Sequence, residues 1–183
     1  LEYVSDIRTE AARQAAESAA ELVYTSPDPA IARQQFERLN TAMQYITSVR
    51  ADFDLTGEQK KSDLVALSDV RLQLETIDYL LAISDSRWDV VQAEALRVLE
   101  QVMRRAIHED KVEAAQVGIS SFVSLTLSEQ QSELVTELVT AFVVPNSFYS
   151  EELTTAARQA ARDAVKPIVQ TYKTGETIVP VGE

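Results

Sequence analysis

Apolar side chains recur at helical spacing along almost the whole chain, and that recurrence restricts the possible folds more than any other feature. Phe36, Leu39, Met43, Ile46, Val49 and Phe53 follow one another at intervals of 3, 4, 3, 3 and 4 residues. This is the period that places them on one face of an α-helix, predicted here from about Asp28 to Phe53. A first helix over Thr9 to Val23 stacks Ala12, Ala16, Ala19 and Val23, and a third carries Leu64, Leu67, Val70, Leu74, Ile77 and Leu81. Trp88, Val91, Ala95, Leu99, Val102 and Ala106 define a fourth, and Val112, Ala115, Ile119 and Phe122 a fifth. Leu134, Leu138 and Ala141 carry a sixth, and Leu153, Ala157, Ala160 and Ala164 a last one from about Glu151 to Ile168. With only 4 Gly and 5 Pro in 183 residues, the helix-breaking residues make up about 5% of the chain against roughly 12% in average usage. The expectation is a mainly α domain, a bundle of about seven helices.

Local signals mark the helix starts. Thr56-Gly57-Glu58-Gln59 and Ser128 with Gln131 are capping boxes, in which the hydroxyl and the Gln each satisfy one orphan backbone N–H. Extended sequence is confined to the ends, at 1–7 and 176–182, where β-branched Thr177-Ile178-Val179-Pro180-Val181 is flanked by Gly175 and Gly182. A lone strand leaves its backbone groups unpaired, so these segments are predicted to pair as a small sheet beneath a helical body over 8–170. The whole chain, 1–183, is read as a single domain. Two internal echoes stand out. Thr9 with Ala11-Ala12-Arg13-Gln14-Ala15-Ala16 recurs as Thr154 with Ala156-Ala157-Arg158-Gln159-Ala160-Ala161, and Leu55-Thr56 through Leu64 resembles Leu125-Thr126 through Leu134. The first reads as two similar Ala-rich helices expected to pack closely, the second as reuse of a capping signal. Neither recurs three times, as a repeat array requires.

Charge and composition prune the function classes. Seventeen basic against 29 acidic side chains give a net charge of -12, which repels a phosphate backbone, so nucleic acid is not an expected partner. The absence of Cys removes disulfides, thiolate metal ligands and thiol nucleophiles. No run of 18 apolar residues is present to span a bilayer. The only histidine, His108, reads as a solvated helix-end residue, and no Gly-x-Ser-x-Gly elbow accompanies it. Asp52, Asp54, Thr56, Gly57 and Asp63 superficially match a calcium loop. Position 12 lacks the bidentate Glu, however, and Lys60 and Lys61 intrude, so capping by Thr56 is the simpler reading. Trp88 reads as core, and Glu151-Glu152 as complements to a helix dipole. No catalytic, cofactor-binding or metal-ligating residues are assigned, no cofactor is expected, and no residue set identifies a ligand pocket.

The ends carry a resemblance. Arg158 to Val169 followed by Tyr172-Lys173-Thr174-Gly175-Glu176-Thr177-Ile178-Val179-Pro180-Val181-Gly182-Glu183 resembles the end of the extracytoplasmic domain of the bacterial seven-transmembrane HD-domain phosphohydrolases. Asp6, Thr9, Arg13, Ala16, Val23-Tyr24 and Asp28-Pro29 match its start in order, and Pro145-Asn146 ahead of Thr154 matches a third block. The middle agrees in helix pattern and in the place of Trp88, and Leu22-Val23-Tyr24 departs from the family's frequent proline before the tyrosine. The resemblance implies a longer parent, with one membrane helix before Leu1, several after Glu183, and a cytoplasmic phosphodiesterase acting on cyclic di-AMP. Its catalytic motif falls outside this chain. The expected role is therefore a non-catalytic sensory or regulatory domain on the extracytoplasmic face of the cell membrane. Its expected partners are an extracytoplasmic ligand or protein and the flanking transmembrane helices, with a homodimer as a further option. The alternatives are a structural spacer or dimerisation domain without ligand, or a free-standing helical adaptor.

Overall fold

A computed structural model describes residues 2–171, with the placement of the Tyr3 side chain left aside. The chain divides into two compact units: Leu1–Thr25 together with Tyr149–Glu183, and the intervening Ser26–Phe148. The chain is mainly helical, as expected, with eight α-helices among the described residues.

The intervening unit holds the apolar core. Its helices are α2 (Pro29–Ala51), α3 (Gly57–Val65), α4 (Leu74–Ala82), α5 (Asp85–Met103), α6 (Val112–Val117) and α7 (Glu129–Thr140). Helix α5 packs on both α2 and α7, α4 lies on α7, and α3 bridges α2 and α4. Leu39, Met43 and Ile46 of α2 meet Trp88, Val91 and Leu99 of α5 and Leu134 and Leu138 of α7 in one buried cluster. Trp88 is 1% exposed, and its indole N–H donates to the Thr47 hydroxyl at 2.8 Å. Arg50 stacks over the same ring and donates to the Ile83 carbonyl. Glu94 ties α5 to the chain beyond α6. Its carboxylate takes the Arg97 guanidinium and the Ser124 backbone N–H, and Arg97 also donates to the Phe122 carbonyl. Both expected capping boxes form, at Thr56 with Gln59 and at Ser128 with Gln131.

The other unit is built from β1 (Glu2–Val4), α1 (Asp6–Ala19), α8 (Glu151–Asp163) and β2 (Val169–Thr171). Helices α1 and α8 pack together, as their small side chains allow. β1 and β2 pair antiparallel, Val4 opposite Val169 and Glu2 opposite Thr171. None of the buried apolar residues among those described lies in this unit; its buried side chains are the hydroxyl-bearing Ser5, Thr9 and Thr154.

Several sequence expectations are corrected. The first strand ends at Val4 rather than at residue 7, because the Ser5 hydroxyl caps α1 by accepting from the Arg8 backbone N–H. Helix α1 ends at Ala19, with Ala20 extended, rather than at Val23. The single helix expected over Leu64 to Leu81 is two, α3 and α4. The connecting chain still turns Val70 inward, 1% exposed, so the apolar period continues through a break in the helix. Residues 109–122 form two 3-10 turns around the short α6, not one helix. Phe53, read as the last residue of the α2 stripe, follows the helix end and is 99% exposed. The helical body does not run to residue 170, since α8 ends at Asp163 and 169–171 is strand. The strand expected at 176–182 lies outside the described residues.

Candidate ligand-binding groove

A groove of about 630 Å³ lies in the intervening unit between the N-terminus of α2 and the last turns of α5. Sequence dictates both walls. Asp28 caps α2, its carboxylate accepting from the Ala30 backbone N–H at 2.8 Å, and Pro29 occupies the first helical position, where its missing N–H costs nothing. The apolar stripe of α2 then brings Ala32 and Phe36 to the groove, opposite Leu99 and Met103 of α5. Leu99 and Met103 are buried, whereas Phe36 remains 37% exposed.

One buried side chain holds the walls in register. Asn146, 0% exposed, accepts from the Ile107 backbone N–H at 2.8 Å through its side-chain oxygen. Its amide donates to the Met103 and Arg105 carbonyls at 2.7 and 3.0 Å, satisfying groups that the end of α5 leaves orphaned. Its own carbonyl accepts from the Asp28 N–H at 2.7 Å. The Pro145-Asn146 pair noticed in the sequence thus clamps the start of α2 to the end of α5.

The rim is polar and mixed in sign. Glu100 and Arg104 pair at 2.7 Å, both well exposed, and Arg33 adds an exposed guanidinium. Asp28 is engaged in capping. Apolar walls under a charged rim suit binding an apolar body with polar ends.

The residues weighed from sequence fall elsewhere. His108 stands ahead of the 3-10 turn Glu109–Lys111, its carbonyl accepting from the Lys111 N–H. Asp52 receives the Asp54 N–H in a local turn, and Thr56 caps α3, so the calcium-like spacing is local backbone chemistry. Among the described residues no group of three or more His, Cys, Asp or Glu is arranged to hold a metal ion. Glu151 and Glu152 lie in the first turn of α8. The groove residues Arg33, Phe36, Leu99 and Met103 went unassigned in the sequence. The signal that could have found them is Phe36, a large aromatic at the very start of its stripe and close to Pro27-Asp28-Pro29.

No helix among the described residues is long and apolar enough to cross a membrane. Comparison with curated proteins and with solved structures found no match. The sequence profile of the family described as 7TM-HD extracellular matches residues 1–183, the full length given, in agreement with the resemblance seen at both ends. The chain belongs to the family of 7TM-HD extracellular domains.

Proposed function

We propose that this chain is a non-catalytic sensory domain that adjusts a membrane-bound HD-family phosphohydrolase acting on cyclic di-AMP, from the extracytoplasmic face of the bacterial cell membrane. The family match across the full length given is the observation that carries this reading, and the groove between α2 and α5 supplies a place for a signal to act. A ligand changes output only if it binds two states of the domain unequally. The groove suits this requirement because its walls are ends of two helices rather than the middle of one packed layer.

The test combines binding and output. A thermal-shift screen of the 183-residue chain, run in parallel with Phe36→Ala and Arg33→Glu, identifies compounds that stabilise the folded state. A groove ligand raises the melting temperature of the wild type and loses that effect in both variants. In the membrane-embedded parent, the same ligand shifts cyclic di-AMP hydrolysis, and Ala32→Trp, which fills the groove, abolishes the shift. A ligand response that survives Ala32→Trp, Phe36→Ala and Arg33→Glu places sensing elsewhere. Hydrolysis indifferent to every stabilising compound favours the spacer reading.

A further inference from the structure

The echo between the two Ala-rich helices extends to their hydrogen bonds. Thr9 and Thr154, Ser5 and Ser150, Val23 and Ile168, and Val4 and Tyr149 are pairs of equivalent positions, each 145 residues apart, as are Glu17 and Arg162, which form an ion pair. The Ser5 N–H donates to the Ile168 carbonyl, and the Ser150 N–H donates to the Val23 carbonyl. The Ile168 N–H donates to the Thr9 hydroxyl at 2.9 Å, and the Val23 N–H donates to the Thr154 hydroxyl at 3.0 Å. Val4 pairs antiparallel with Val169, and Tyr24 forms an antiparallel bridge with Tyr149. Each of these three contacts at one end therefore has its counterpart at the other, with the roles of the two helices exchanged.

We infer that this unit is two copies of one strand-helix-strand element related by a local two-fold, and that it works as a mechanical coupler between its two ends. At one end, called here the outer crossing, the chain before α1 meets the chain after α8, at Val4-Ser5 and Ile168-Val169. At the inner crossing the chain after α1 meets the chain before α8, at Val23-Tyr24 and Tyr149-Ser150, next to the points where the chain enters and leaves the intervening unit at Ser26 and Phe148. Helix α1 runs from the outer crossing to the inner and α8 runs back, so the two are antiparallel struts about 20 Å long at 1.5 Å per residue.

The symmetry makes the coupling mechanical rather than merely positional. Sliding α1 along α8 draws Ser5 away from Ile168 at one end. By the two-fold, it displaces Val23 past Ser150 by the same amount at the other. Neither crossing can yield alone while the helices stay rigid. The stabilising contacts fit such a device. The buried side chains of this unit among the described residues are hydroxyls bonded to backbone, not apolar groups, and elements with few buried apolar contacts sit at the low end of local stability.

Backbone amide hydrogen exchange on the whole 183-residue chain tests this inference. Thr154→Val removes one hydroxyl at the inner crossing while keeping its shape. Exchange at Val23 and Ser150 should accelerate roughly three- to tenfold, the equilibrium effect of one net hydrogen bond. Coupling requires the Ser5 and Ile168 amides to accelerate as well, while mid-helix Ala15 and Ala160 stay protected. Thr9→Val must produce the reciprocal pattern, because a coupling free energy is the same read from either site. A second measurement does not depend on these variants folding. In a chain without cysteine, a disulfide between Val4→Cys and Val169→Cys should slow exchange at Val23 and Ser150 compared with its reduced form. Changes confined to the altered crossing overturn the coupler. Equal opening of Ala15 and Ala160 overturns it too, since that is unfolding of the unit rather than transmission through it.

Discussion

Replacing Asn146 by Ala removes three hydrogen bonds at once, and the structure sets the size of the loss. The Ile107 N–H and the Met103 carbonyl belong to residues 3% and 2% exposed, so neither readily recovers a bond to water. An orphaned buried backbone group costs about 1 to 2 kcal/mol. The Arg105 carbonyl belongs to an exposed residue and can turn to solvent at little cost. The expected destabilisation is therefore about 3 kcal/mol, or about 6 to 12 °C in melting temperature for a domain of this size. Trp88 is the only tryptophan and is buried in the same unit, so its emission during urea unfolding reports on the affected unit alone. Asn146→Asp sharpens the test. It keeps the acceptor for Ile107 but faces two carbonyls with an acceptor, so it should be at least as damaging despite its matched shape. A loss below about 1 kcal/mol in both variants refutes the clamp, because leaving two buried backbone groups unpaired costs more than that.

Thr56→Ala and Ser128→Ala should each cost about 1 kcal/mol in chemical denaturation; calcium should leave the melting temperature of the wild type unchanged, and a calcium-dependent rise lost in Asp52→Ala would revive the metal loop. Glu94 carries a pH signature: chiefly the Arg97 guanidinium, and also the Ser124 N–H, hold its carboxyl below the usual carboxylate range against the opposing effect of burial. A depressed folded value means stability present above the unfolded pKa of about 4.3 and lost as pH falls through the lower folded value, so the gap between wild type and Glu94→Gln should be full at pH 7 and close on acidification below about pH 4. The isolated chain should hydrolyse no cyclic di-AMP with any divalent metal, because one His and no Cys leave too few nitrogen or sulfur ligands for an HD-type centre; turnover that co-purifies with the folded protein would overturn the non-catalytic reading.

What the sequence makes legible is what neighbouring residues decide among themselves. The α2 stripe, both capping boxes and the burial of Trp88 follow from spacing within one turn or a few. The break between α3 and α4 does not, because its cause is distant. Gln73 starts α4 without a side-chain cap of its own. Instead its N–H donates to Glu137 of α7 at 3.0 Å, and the same carboxylate takes the Thr76 hydroxyl at 2.8 Å. A cap supplied from 64 residues away leaves no local trace. The groove was hidden for a similar reason, since Phe36 fits a core stripe as well as a wall, and only the position of α5 decides between them. The Ala-rich echo was visible, but its meaning lay in which chain each Thr hydroxyl receives, and no spacing encodes that.

The backbone bond from Asp28 to Asn146 also bears on the order of folding. The terminal unit is discontinuous, interrupted by Ser26–Phe148, so an unfolded chain must close a loop of more than a hundred residues before α1 can find α8. The entropy of such closure grows as three-halves RT times the logarithm of loop length. Once the intervening unit has folded, Asp28 and Asn146 are held together, and the effective loop shrinks to the few residues outside that bond. The logarithm converts this shortening into about 3 kcal/mol, a large share of what a small unit with no buried apolar side chain among its described residues can muster. Kinetically, the terminal helices are then expected to assemble last. A lesion at Asn146 should therefore slow their refolding, although it touches neither of them.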